Sequence, residues 1–139
     1  ALAREVVADM PQAAAVALDL APDLPALALD RMRVRLLLRN LLDNALRYSA
    51  GAASPPRVSL RGEEGGGVLL EVRDFGPGVD AEQLAHLTEP FFRTDGARQR
   101  ATGGVGLGMY LCRLVAQAHG AQLEVRNAAP GLAVQVLWR

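Results

Sequence analysis

Two alternating stretches decide the fold: Arg57-Val58-Ser59-Leu60-Arg61 and Val68-Leu69-Leu70-Glu71-Val72. Val58 and Leu60 in the first, and Val68, Leu70 and Val72 in the second, recur at every other position. That is the period of a strand with one buried face and one wet face. Glu63 to Gly67 is turn-forming, so the pair reads as a β-hairpin. A doubly wound parallel sheet is covered on both faces and shows continuous apolar runs instead. Outward from the hairpin the alternation returns at Val16, Leu18 and Leu20. It returns again at Leu123 and Val125, then, past a Pro130-Gly131 turn, at Leu132, Val134, Val136 and Trp138. The expected fold class is α/β: a two-layer sandwich, its sheet mixed but mostly antiparallel with about five strands, and about three helices on one face.

The helices are read from their ends. Asp30 is a ready N-cap for a helix from Arg31 to about Tyr48. Gly51 to Pro56 breaks the chain after it. A helix covers Ala1 to about Met10, and a short one lies near Ala81 to His86. Leu107 to His119 is helical and stops at Gly120, a C-cap. Thr88 to Gly106 has little periodicity and many polar and Gly residues, so it reads as a long loop. Loops of that length in compact domains are functional or mobile. The part from Arg93 to Gly104 lacks apolar anchors and is expected to be mobile without a ligand.

Bulk properties exclude several classes. The 139 residues fit one domain over 1–139, and half of them are hydrophobic, enough for a core without staples. Fifteen basic and fifteen acidic residues balance, which gives no reason to expect nucleic acid or an anionic membrane as partner. All fifteen basic residues are Arg, a composition from which no function is read. The single cysteine, Cys112, excludes an internal disulfide and is expected to be a core thiol. No apolar run approaches the ~18 residues of a membrane span, so the piece is expected to be soluble and cytoplasmic. The chain begins inside a helix, as a fragment of a longer protein would. Trp138 reads as core, His86 as a surface residue, and His119 as a helix C-terminal residue where a cation is favoured. No Cys/His cluster points to zinc.

Three constellations carry chemistry. Asn40, Asn44 and Tyr48 fall at i, i+4, i+8 on one helix face, with Arg47 beside them. Asn is a poor mid-helix residue, so the pair wants a reason. Either both amides are simply solvated, or Asn44 offers a neutral oxygen to a Mg²⁺ that neutralises phosphates. In the second case Arg47 meets phosphate charge and Tyr48 lies against a flat base. Asp74-Phe75-Gly76-Pro77-Gly78 follows directly on a strand. It is either a capped Gly-Pro turn or a carboxylate for an exocyclic amine, with glycines admitting a flat ligand. Gly103-Gly104-Val105-Gly106-Leu107-Gly108 opens into a helix, an anion site without the lysine of a Walker P-loop. Arg93, Arg98 and Arg100 lie just upstream, either closing over phosphates or solvated.

Taken in order, Asn40–Tyr48, Asp74–Gly78, Pro90–Arg93 and Gly103–Gly108 resemble the N, G1, F and G2 boxes of bacterial sensor histidine kinases. The resemblance covers nearly the whole chain. It implies the Bergerat α/β sandwich, shared with gyrase and mismatch-repair ATPases, and ATP and Mg²⁺ as ligands. Carried across, Asn44 holds the metal and Asp74 reads the adenine amine. Asn40, Asn44 and Arg47 serve the transfer, and Arg47 and Tyr48 line the nucleotide. Gly76 and Gly78 border the base; Gly104, Val105, Gly106, Leu107 and Gly108 border the phosphates. The loop from Arg93 to Val105, with Arg98 and Arg100, matches the ATP lid, and Phe91 and Phe92 anchor its start. Many members carry Lys where this chain has Arg47.

Asn40 separates the kinase from its cousins. Related ATPases and anti-sigma serine kinases carry Glu there as general base, and an amide cannot take a proton. Neutral imidazole is already a nucleophile, so Asn40 favours transfer to histidine. A non-catalytic, nucleotide-gated module is the alternative from another class. The acceptor histidine of the family lies in a helical hairpin upstream, and neither His86 nor His119 fits it. The resemblance therefore implies as partners a dimerisation/phosphoacceptor hairpin and a response regulator. The parent is expected to be a homodimer anchored in the bacterial inner membrane, and this domain a monomer.

Overall fold

The computed structural model describes residues 2–10, 15–25, 27–49, 52, 54–90 and 108–139. Its elements are α1 (Leu2–Ala8), β1 (Ala17–Leu20), α2 (Arg31–Tyr48), β2 (Arg57–Gly62), β3 (Val68–Arg73), α3 (Ala81–Leu84), α4 (Gly108–Ala118), β4 (Gln122–Asn127) and β5 (Leu132–Trp138). The five strands form one sheet in the order β1-β2-β3-β5-β4. β1 runs parallel to β2, and the other three pairings are antiparallel. The sheet is thus mixed and mostly antiparallel, as the alternation requires.

Period-two patterning sets the two faces. Leu70 and Val72 of β3 and Val134, Val136 and Trp138 of β5 point into the core, and Glu71 and Gln135 point out, paired at 2.7 Å. Alternation fails at Leu69 and Ala133, which are buried although they share the outer face. Their cross-strand neighbours explain this: Arg61 and Leu137 flank Leu69, and Arg73 and Arg126 flank Ala133. Long side chains lay their apolar stems over shorter neighbours.

α2 is the central helix of the other layer. Asp30 caps it as expected, its side chain accepting from the Arg33 N–H at 3.1 Å. Val34, Leu37, Leu38, Leu41, Leu42 and Ala45 form the buried stripe, and Leu37, Leu41 and Leu42 are at most 1% exposed. α4 lies antiparallel along α2, with Cys112 Sγ donating to the Leu37 carbonyl at 3.5 Å. Gly120, at φ +66°, ends α4; the Ala121 N–H returns to Ala116 O at 2.8 Å and the Gly120 N–H to Gln117 O at 3.1 Å. That is the double bond pattern of a Schellman cap. The pairs Arg31–Glu5 and Arg35–Asp9 join α1 and the residue that follows it to α2.

Two helix boundaries need correction. α1 ends at Ala8 and α3 at Leu84, short of Met10 and His86. His119 stands at the C-terminal end of α4, as expected, and its ring makes two further contacts. Its Nε2 accepts the Asp30 N–H at 3.0 Å, and Nδ1 lies 2.9 Å from Val115 O. The ring thus bridges the end of α4 to the start of α2. Sequence spacing carries no sign of that bridge, because it joins residues far apart in the chain.

Cys112 is a core thiol with no exposed surface, and burial pushes its pKa from 9.0 up to about 12. In the unfolded chain the thiol ionises first, so the fold retains a proton that the unfolded state releases. This group's contribution to stability is present below pH 9.0 and is lost as pH rises toward about 12. Urea unfolding is expected to show a loss of up to about 1.4 kcal/mol per pH unit across that window, absent in Cys112→Ala.

Candidate functional site

The site lies between α2 and the C-terminal end of β3. Asn44 and Tyr48 from α2 line a cleft with Leu41, Ala45, Val72, Asp74, Leu87, Met109, Val125, Leu132 and Val134. Its walls are apolar except for the amide, the phenol and the carboxylate. An apolar slot with a few polar groups suits a flat heterocycle.

Asp74 is the only buried charged residue among the described residues, at 3% exposure. It continues β3 by one residue, its N–H donating to Leu132 O at 3.0 Å. Its Oδ1 accepts from the Gly76 N–H at 3.0 Å and the Leu132 N–H at 3.3 Å. Oδ2 accepts no hydrogen bond from the described residues, so it is the acceptor left for the cleft. Burial raises the Asp74 pKa above its usual 3.8, while the two N–H groups and the neighbouring Arg73 pull it back down. Arg73 itself stacks over Phe75 at 4.6 Å and donates to Ala128 O at 3.1 Å, outside the cleft.

Two glycines make this packing possible. A Cβ on Gly76 would overlap the Tyr48 carbonyl oxygen and stand 2.8 Å from its carbon. The loop after β3 therefore touches the last turn of α2 backbone to backbone. Gly131, at φ +83°, sits on Asp74: a Cβ there would overlap the Asp74 carbonyl and stand 2.7 Å from Oδ1.

Asn40 is one turn back from the cleft wall. Its Oδ1 lies 3.6 Å, and Asn44 Nδ2 3.9 Å, from where a Cβ on Gly108 would stand. Both amides thus face the first residue of α4, where the helix leaves N–H groups unpaired. Arg47 pairs with Asp43 at 3.0 Å on an exposed side of α2 and does not line the cleft. The structure therefore brings together Asn40, Asn44, Tyr48, Asp74, Gly76 and Gly108, and Gly78 borders the same loop. Phe91, Phe92, Arg93, Arg98, Arg100 and Gly103 to Leu107 lie outside the described residues. Leu132, Gly131 and Asn127 are the contributors that sequence reasoning missed. Pro130-Gly131 read only as a turn, and nothing local marks a turn that packs against a distant carboxylate.

Among the described residues no group of three or more His, Cys, Asp or Glu is placed to hold a metal. A cation here would take one neutral amide oxygen from Asn44 and the rest of its shell from ligand phosphates and water. That donor set fits Mg²⁺, which keeps waters and binds through few protein ligands.

The sequence model described as "Histidine kinase-, DNA gyrase B-, and HSP90-like ATPase" matches residues 29–138. The chain belongs to that family, and within it to the ATP-binding catalytic domains of sensor histidine kinases. It is 42% identical over 98 residues to the sensor histidine kinase YkoH of Bacillus subtilis, covering 70% of this chain and 21% of that protein. It is 40% identical over 102 residues to the signal transduction histidine-protein kinase BaeS of Escherichia coli, covering 73% and 21%. The full-length ShkA structure in complex with AMPPNP superposes at a TM-score of 0.81 with 27% identity, over 98% of this chain and 28% of that one. The chain thus spans about a fifth of the length of the curated relatives.

Gly76→Ala is expected to destabilise the chain by about 2 kcal/mol or more, because the loop must leave the backbone of α2. The urea midpoint measures it, and an unchanged midpoint would contradict the backbone contact.

Proposed function

We propose that the chain binds Mg²⁺-ATP and transfers the γ-phosphoryl group to a histidine on a helical phosphoacceptor domain outside it. The setting is two-component signalling, with a response regulator receiving the phosphoryl group next. The observation that carries this reading is the pairing of Asn44 and Asp74 in one apolar cleft. In it, Asp74 Oδ2 accepts from the exocyclic amine of adenine, and Tyr48 and Met109 flank the ring. The triphosphate then runs along α2 toward Asn40 and the first turn of α4, whose N–H groups favour anions. Asn44 holds Mg²⁺, which supplies charge neutralisation between the phosphates.

The chemistry asked of this chain is positioning. The acceptor imidazole nitrogen attacks with its lone pair; an N–P bond forms as the bond from Pγ to the ADP oxygen breaks. No proton has to be removed from that nitrogen, so an amide at Asn40 suffices where a hydrolase needs a carboxylate. Asn40 orients, Asn44 binds, and Arg47, once released from Asp43, reaches phosphate. By resemblance, Arg93, Arg98, Arg100 and the segment Gly104 to Gly108 take the phosphate-binding roles. Phe92 belongs to the start of the lid, and Gly78 to the rim of the base site.

Titration calorimetry is expected to show ATP binding that strengthens with Mg²⁺; no heat at millimolar nucleotide would defeat the reading. Asn44→Ala should abolish Mg²⁺-dependent phosphoryl transfer to a supplied acceptor domain, and full transfer in that variant rejects the role given to Asn44. Asp74→Asn keeps Oδ1 for Gly76 and Leu132 but turns Oδ2 into a donor. It is expected to stay folded, with a melting temperature no lower than the parent's, and to lose ATP affinity by about 30-fold or more. Undiminished affinity in Asp74→Asn would remove adenine recognition from this carboxylate.

A further inference from the structure

The loop from Asp74 to Val79 is anchored at both ends on a single rung of the β4–β5 ladder. Asn127 and Leu132 are cross-strand partners on that rung. Leu132 takes the first end: its N–H donates to Asp74 Oδ1 at 3.3 Å, and its carbonyl accepts the Asp74 N–H at 3.0 Å. Asn127 takes the other end with its side chain. Nδ2 donates to Val79 O at 2.8 Å, and Oδ1 accepts the Val79 N–H at 3.2 Å. One amide thus satisfies both backbone groups of one residue, as a neighbouring strand would. Asparagine suits the task because its short side chain carries a donor and an acceptor together. The fit is close on the loop side too: a Cβ on Gly78, at φ +76°, would stand 2.7 Å from Asn127 Oδ1.

We infer that Asn127 is a positioning residue for nucleotide recognition: it closes the Asp74–Val79 loop onto the sheet and so holds the base-binding carboxylate and glycines in register. The inference rests on the ATP reading above. Asn127 does not line the cleft and touches no ligand in that reading. It acts through the loop. Without the clamp, Val79 loses both partners, and the loop is tied to the sheet only at Asp74. ATP binding then has to order the far end, which weakens affinity.

The test compares the wild-type chain with Asn127→Ala and Asn127→Asp. Thermal melts first set a temperature at which each variant is fully folded. ATP is then titrated with Mg²⁺ at that temperature. Asn127→Ala is expected to bind about tenfold more weakly, equivalent to about 1.4 kcal/mol. Asn127→Asp keeps the acceptor and loses the donor, so it is expected to fall between the two. A purely structural contribution lowers the melting temperature and leaves the affinity of the folded chain unchanged; that result overturns the inference while leaving the ATP reading intact. If Asn127→Ala does not fold, Asn127→Asp decides by the same criterion, and wild-type affinity in it overturns the inference. Failure of the wild-type chain to bind ATP sinks the reading and the inference together.

Discussion

A carboxylate taken out of water has to be given partners, and most of the site's architecture follows from supplying them to Asp74. Burying a charge without hydrogen bonds costs several kcal/mol. Here two N–H groups meet one oxygen, one from Gly76 in the same loop and one from Leu132 on another strand. Those bonds require the end of β3, the loop and the start of β5 to meet within a few ångströms. Gly131 and Gly76 allow that meeting, because any side chain on either would collide with backbone. The price of this arrangement is that burial still outweighs the bonds and raises the pKa. A donor brought to Oδ2 would offset part of that imbalance, because Oδ1 alone meets the two N–H groups.

The second half of the site rests on helix geometry. α2 is pinned by an apolar stripe against the sheet and by Cys112 against α4, which leaves its Asn40–Asn44–Tyr48 face toward the cleft and the start of α4. Both positions 40 and 44 are amides, which bind without charge and cannot act as general base.

Local rules recovered much of this from the chain alone. The strand period placed all five strands, and capping chemistry placed α2 at Asp30 and ended α4 at Gly120. Asn44, Tyr48 and Asp74, which line one cleft, stood out in sequence because polar groups at helical spacing, and Asp before a Gly-Pro-Gly turn, are anomalies that packing alone does not explain. Arg47 was placed by resemblance at the nucleotide, and its exposed pairing with Asp43 sets it aside from the cleft wall. The bridge from His119 to Asp30 was not legible, because its partner there is a backbone N–H that leaves no mark in sequence.

What the sequence determined by itself was periodicity and local chemistry: which positions face inward, where helices start and stop, and which residue types sit at unusual places. Only the tertiary structure decided which of them meet. Leu132, Gly131 and Asn127 look like an ordinary strand and turn until the sheet order β3-β5-β4 lays them beside the loop after β3. The reason is that hydrogen bonds and steric contacts act over a few ångströms in space, while pattern reading acts over a few residues along the chain. The two coincide within a helix or a hairpin and part company wherever a sheet joins strands distant in sequence.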